Sequence, residues 1–106
     1  KETPKFTTVA IAGLFCFVDK QMGLPQWSDL GMFLQTFMLL AVDSDLDTCA
    51  QESWSLKQNC VRTYLDVSED NILFCGMAIG YADKKNKINE LSTSRRSIDE
   101  WATFHK

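Results

Sequence analysis

The feature that most constrains the fold is an apolar segment, residues 30 to 42, whose helical periodicity leaves almost no polar face. One stripe at helical spacing consists of Leu30, Phe33, Leu34, Phe37 and Ala41, and much of the remaining surface is also apolar through Met38, Leu39, Leu40 and Val42. A helix of this kind is buried in a core or at a subunit interface, and this one is too short to cross a membrane. A chain of 106 residues has too little other material to cover such a helix on every side. The segment therefore predicts contact with more protein.

Local signals predict that this helix follows Ser28, a residue type favoured at the N-cap position. Trp27 and Met32 have the spacing of a hydrophobic staple around that cap. The helix is predicted to run to about Asp43. Asp45 is then expected in the left-handed conformation that ends many helices.

Two other apolar runs predict buried β-strands. Residues 8 to 18, TVAIAGLFCFV, are rich in β-branched and aromatic types and are apolar on both alternating faces. This pattern is typical of a central strand that is covered on both sides. Residues 72 to 81, ILFCGMAIGY, have the same character. Gly76 and Gly80 within the second run indicate a bend or a close approach of another group to the backbone.

The remaining segments predict shorter elements. Residues 47 to 52 read as a short extended connection, and residues 54 to 65 as a second helix with apolar positions on its inner face. Residues 82 to 97 are polar and predicted to be exposed without a helix. Two large aromatic residues in the polar last segment, Trp101 and Phe104, indicate docking on another surface.

Charge and composition argue against several kinds of partner and site. The formal net charge is -3, so a basic surface that holds nucleic acid is not expected. No run approaches the roughly 18 apolar residues that a membrane span needs. The four cysteines (Cys16, Cys49, Cys60 and Cys75) form no CxxC pair, and the single His105 does not complete a zinc site. We expect four reduced, mostly buried thiols in a cytoplasmic protein.

Three stretches in register resemble the nitroreductase family. They are QWSDLGMFLQTFMLLA at residues 26 to 41, LDTCAQESW at residues 46 to 54, and ILFCGMAIGYAD with NELSTSRRSIDEW at residues 72 to 83 and 89 to 101. Their order and spacing are similar to the second half of the family's domain, in the branch of nitrobenzoate and nitroaromatic reductases. The resemblance implies an α+β nitroreductase-like fold, a mainly antiparallel sheet packed with helices. Residues 1 to 106 would be the C-terminal portion of one such domain, with its N-terminal half absent.

The resemblance also implies a function. Family members are homodimers that bind FMN non-covalently in clefts between the two subunits. They take hydride from NADH or NADPH onto the flavin and pass electrons to a small-molecule acceptor such as a nitroaromatic or a quinone. The flavin supplies the chemistry and the protein supplies binding and orientation, so no catalytic side chain is implied.

Cofactor-binding residues follow from the same resemblance. Four consecutive residues match the segment that passes beside the flavin ring, with backbone amides near the flavin N5 edge: Ala50, Gln51, Glu52 and Ser53. Arg95 matches the phosphate-binding arginine of the family, and a guanidinium suits a phosphate monoester. Thr93 stands where some relatives have a second basic residue, and its hydroxyl is able to bond a phosphate oxygen.

Two alternatives remain open at this stage. The family grips the FMN phosphate with an Arg-Ser-x-Arg motif near its N-terminus, and residues 1 to 25 contain no match to it. The first alternative is therefore a truncated, non-catalytic dimerisation domain that has lost flavin binding. The second is a small-ligand binding module that reuses half of the fold.

Overall fold

The computed structural model of the protein describes residues 9 to 106. The strands are β1 (Val9–Asp19), β2 (Asp47–Gln51) and β3 (Asn71–Tyr81), and the α-helices are α1 (Leu24–Asp43) and α2 (Gln58–Leu65). Short 3-10 helices cover Glu52–Lys57, Lys87–Glu90 and Ile98–Glu100. The strands form one antiparallel sheet packed with helices, which confirms the predicted α+β class. Thr8, the first residue of the predicted first strand, lies outside the described residues.

The sheet has the order β1-β3-β2, so β3 is the central strand. The prediction that the first apolar run forms a central strand covered on both sides is wrong for this sheet. Within residues 9 to 106, β1 pairs with β3 alone, and its Ile11 is 62% exposed. A continuous apolar run indicates that both faces of a strand are shielded from water. It does not indicate which protein segment covers each face.

Helix α1 begins earlier than predicted. Its N-cap is Gly23 rather than Ser28, and Pro25 lies in the first turn. Proline fits this position because its fixed φ is already helical and its missing N–H would have no partner within the helix. The predicted end at Asp43 is confirmed, and Asp45 has the expected left-handed conformation, with φ of 58°.

The described residues leave most of the apolar surface of α1 uncovered. Only Leu34 and Ala41 are buried on this helix. Six large apolar side chains on it remain more than half exposed: Leu24, Met32, Phe33, Leu39, Leu40 and Val42. Residues 9 to 106 therefore do not cover this helix on every side, in agreement with the prediction.

The main core lies between α1 and one face of the sheet. Its buried members are Cys16, Leu34, Cys75 and Met77. Leu14, Leu30, Phe37, Met38 and Phe74 pack against them from both layers. At the margin, Trp27 of α1 meets Phe74 of β3 edge-to-face, with ring centroids 5.4 Å apart. Leu30, Leu34 and Phe37 of the stripe predicted for α1 therefore pack on the sheet. Phe33 of the same stripe is more than half exposed.

The second predicted helix is shorter than expected, because residues 52 to 57 form a 3-10 helix and α2 begins at Gln58. The Gln58 amide pairs with the backbone of Leu73 as a neighbouring strand would. Its Nε2 donates to the Leu73 carbonyl at 2.6 Å, and its Oε1 accepts from the Leu73 N–H at 2.7 Å. One turn later, Arg62 Nη1 donates to the Asn71 carbonyl at 2.9 Å. Strand β2 ends opposite Gly76, so α2 satisfies the edge of β3 that β2 does not reach.

The C-terminal segment is largely exposed, whereas the thiols range from buried to exposed. Residues 82 to 97 are largely exposed as predicted, although Lys87–Glu90 forms one 3-10 turn. All four thiols are free, but the prediction that they are mostly buried holds only in part, because Cys60 on α2 is exposed and Cys49 is half-buried. Across residues 9 to 106, no helix combines the length and apolarity that a membrane crossing requires.

Candidate functional site

An open cleft of about 460 Å³ lies where β1, β3 and the end of β2 meet the first 3-10 helix. Ala10, Ile11, Ala12, Gly13, Phe15, Gln51, Trp54, Met77 and Ala78 line it. Phe15 faces this cleft, whereas the next residue, Cys16, packs beneath α1. Because successive side chains of a strand point to opposite faces, the cleft lies on the face of the sheet away from α1.

Trp54 shapes this cleft by lying across the sheet. Its ring meets the Phe15 ring edge-to-face at 5.2 Å, and its Nε1 donates to Gln51 Oε1 at 2.8 Å. The ring also covers Gly76 so closely that a Cβ on that residue would lie 2.8 Å from Trp54 Cγ. The close approach predicted for Gly76 is confirmed. Sequence reasoning missed Trp54 itself, although the glycine within an apolar strand was the signal that pointed to it.

Of the four consecutive residues predicted to pass beside a flavin ring, Gln51 lines this cleft and the other three are its neighbours along the chain. Ala50 and Gln51 end β2, opposite Met77 and Gly76. Glu52 and Ser53 follow as the first residues of the 3-10 helix, and both side chains are exposed. The first N–H groups of a helix have no acceptor within it, and the Gln51 side chain does not cap this one because it bonds Trp54. This turn can therefore offer backbone amide donors to an electron-rich ring edge, which is the chemistry that a flavin N5 edge requires.

Arg95 and Thr93 form a small unit of their own. Arg95 Nη1 donates to Thr93 Oγ1 at 2.6 Å and to the carbonyls of Thr93 and Ser94 at 3.3 and 3.2 Å. Both side chains are exposed. The remaining guanidinium N–H groups and the Thr93 hydroxyl proton can still donate, which suits a phosphate group. Within residues 9 to 106, no hydrogen bond, ion pair or ring contact joins this unit to residues 50 to 53.

The ionisable groups of the described chain offer no obvious acid or base. No polar or charged residue in that part is buried. Burial raises the pKa of the Cys16 thiol, and the neighbouring Cys75 adds to the effect. Within residues 9 to 106, no three His, Cys, Asp or Glu side chains are placed to hold a metal ion.

Sequence comparison gives one family and several named relatives. A model described as "Nitroreductase family" matches residues 18–81. The chain is 37% identical over 95 residues to a chloronitrobenzene nitroreductase of Comamonas testosteroni, covering 90% of this chain and 42% of the relative. It is 35% identical, over the same shares of both chains, to a nitrobenzene nitroreductase of Ectopseudomonas oleovorans. The chain thus spans less than half the length of these curated relatives.

Solved structures agree with the sequence relatives. The FMN and NADPH-dependent nitroreductase NfnB from sphigopyxis sp. strain HMH superposes with a TM-score of 0.86 and 40% identity, over 92% of this chain and 44% of that one. The FMN-dependent nitroreductase NfnB from Mycobacterium smegmatis, solved in complex with NADPH, gives the same TM-score at 27% identity. These likenesses confirm the fold expected from the resemblance.

Proposed function

This chain belongs to the nitroreductase family, and we propose that it forms the C-terminal half of the flavin site of an FMN-dependent NAD(P)H oxidoreductase. The observation that carries the proposal is the likeness to an FMN and NADPH-dependent nitroreductase at 40% identity and a TM-score of 0.86. The family resemblance assigns residues 50 to 53 to the flavin. In support, Gln51 lines the open cleft, and no side chain caps the 3-10 helix that follows it.

In this proposal the flavin, when bound, carries hydride from NADH or NADPH to a small-molecule acceptor. The amides at the start of the 3-10 helix donate to the ring edge and orient it. Trp54 holds the Gln51 side chain and thereby fixes the turn from which these amides point. Arg95, steadied by Thr93, binds the FMN phosphate. The names of the relatives support a nitroaromatic compound as the acceptor. A quinone or a similar molecule as the acceptor follows from the family resemblance alone.

The proposed assembly is a homodimer. Its support is the exposed apolar side of α1, where Leu40 remains 61% exposed in this chain. An apolar face of this extent is typical of a subunit or domain interface. Exposed Trp101 and Phe104 in the C-terminal segment are a second surface that a partner subunit would cover. We place the protein in the cytoplasm, because four free thiols are typical of a reducing compartment.

FMN uptake tests the proposed function directly. We expect the purified polypeptide that contains this chain to acquire a flavin absorbance near ~450 nm when FMN is added, and to lose it on addition of NADPH without oxygen. Riboflavin, which lacks the phosphate, serves as the matched ligand. A protein that stays colourless with both ligands would instead support the non-catalytic dimerisation domain.

Arg95→Ala should weaken FMN binding about tenfold, because it removes a charge-assisted contact to the phosphate. The same substitution should leave riboflavin binding almost unchanged. Fluorescence titration of both flavins measures the two effects. Arg96→Ala, at the neighbouring exposed cation, is the matched control and should change neither affinity. Equal losses for FMN and riboflavin in Arg95→Ala would remove the phosphate-binding role.

A further inference from the structure

Two of the four cysteines lie directly opposite each other across neighbouring strands. Cys16 of β1 pairs in register with Cys75 of β3. Directly opposed residues of an antiparallel pair have Cα atoms about 4.5 or 5.5 Å apart, depending on the hydrogen-bonding class of the pair. Both spacings fall within the range of about 4.4 to 6.8 Å that disulfides span. The register therefore places these two residues within the range that a disulfide spans, at the last pair before the register shift between Cys16 and Phe17.

The two side chains also share one environment. Cys16 is 6% exposed and Cys75 is 3% exposed, and both belong to the core cluster beneath α1 with Leu34 and Met77. The Cys75 thiol donates to the Gly76 carbonyl at 3.0 Å. Cys49 is placed differently, because it pairs with Ala78 and so lies on the opposite face of the sheet. Cys60 lies on α2 and is exposed.

We propose that Cys16 and Cys75 are an oxidisable thiol pair, which hydrogen peroxide converts into an intramolecular disulfide between β1 and β3. The proposal does not depend on flavin binding. The bridge would join the edge strand covalently to the central strand beneath α1.

The reaction balances with peroxide as the sole oxidant. One thiol loses its proton, and its sulfur attacks a peroxide oxygen, so that the O–O bond breaks, hydroxide leaves and a sulfenic acid forms. The sulfur of the opposing cysteine then attacks the sulfenic sulfur. The S–S bond forms, and the sulfenic oxygen leaves as water. Overall, two thiols and one peroxide become one disulfide and two waters.

Burial determines the rate of this reaction rather than its product. Desolvation raises the pKa of Cys16, and Cys75 raises it further, so the thiol is protonated at neutral pH. Buried, protonated thiols react slowly with oxidants. The exposed Cys60 thiol should therefore react first, and the pair should follow as α1 moves locally away from the sheet.

Two double variants of the full chain test the pair. Cys49→Ala with Cys60→Ala retains Cys16 and Cys75, whereas Cys16→Ala with Cys60→Ala retains Cys49 and Cys75 on opposite faces of the sheet. After native treatment with hydrogen peroxide, the first should lose both free thiols and two hydrogens in mass, and dithiothreitol should restore them. Peptide mapping should join the segments that contain positions 16 and 75. The second variant should form no intramolecular bridge.

The wild-type chain gives an independent readout if a variant folds poorly. Peptide mapping of the oxidised wild type should join the same two segments while its far-ultraviolet circular dichroism stays native. Separate sulfinic acids on Cys16 and Cys75, with no joined peptide, would overturn the proposal. Equally fast disulfide formation in both double variants would also overturn the proposal, because the bridge would then not depend on the register between the strands.

Discussion

Gln58→Leu should lower the free energy of unfolding by about 2–6 kcal/mol, because it leaves two backbone groups of Leu73 without partners. Leu73 is 1% exposed, and its N–H and carbonyl both bond the Gln58 amide. Leucine has a similar size and keeps water away from the vacated edge, so neither group can rebond. Each buried orphan then costs about 1–3 kcal/mol. Urea unfolding followed by circular dichroism measures the change.

Two further substitutions separate this pairing from a general effect of apolar replacement. Gln35→Leu makes the same chemical change on the exposed side of α1 and should shift stability by no more than about 0.5 kcal/mol. Gln58→Ala leaves space for water at the Leu73 backbone and should cost less than Gln58→Leu. If Gln58→Leu and Gln35→Leu proved equally mild, the amide would not be acting as a substitute strand.

Gly76→Ala should destabilise the chain by up to about 3 kcal/mol, because the added methyl group would collide with the Trp54 ring. The ring has little freedom to retreat, since Phe15 meets it at 5.2 Å and Gln51 holds its N–H at 2.8 Å. Displacing Trp54 would also release the Gln51 side chain beside the residues proposed to face the flavin. The shift in the urea midpoint and the tryptophan fluorescence report the two consequences separately.

Gly31→Ala is the matched control, because the same methyl group would meet nothing within 4 Å at that position of α1. Alanine is the better helix former, so this variant should gain up to about 1 kcal/mol. In the Gly76→Ala chain, Trp54→Ala removes the obstructing ring and should cost less than it does in the wild type. Simple additivity of these two substitutions would argue against the collision.

The sequence pointed to some residues of the candidate site and missed others. The family resemblance selected residues 50 to 53 and Arg95, and the strand glycine at Gly76 indicated a close neighbour. Trp54 was not identified as that neighbour, because its ring reaches Gly76 from a separate 3-10 helix, about 20 residues earlier in the chain than the strand glycine. Spacing along the chain does not report such a contact. The flavin-binding roles of residues 50 to 53, Thr93 and Arg95 remain predictions for the experiments above.

The sequence by itself determined the strands and the helix that depend on patterns of neighbouring residues. Continuous apolar runs specified β1 and β3, and helical periodicity specified α1 with an end at Asp43 and a left-handed Asp45. Tertiary structure alone decided the order β1-β3-β2 and the exchange of bonds between Gln58 and Leu73. It also decided that Cys16 and Cys75 face each other. The physical reason is that apolar patterning is a property of neighbouring residues, whereas pairing depends on which distant backbone satisfies each buried polar group.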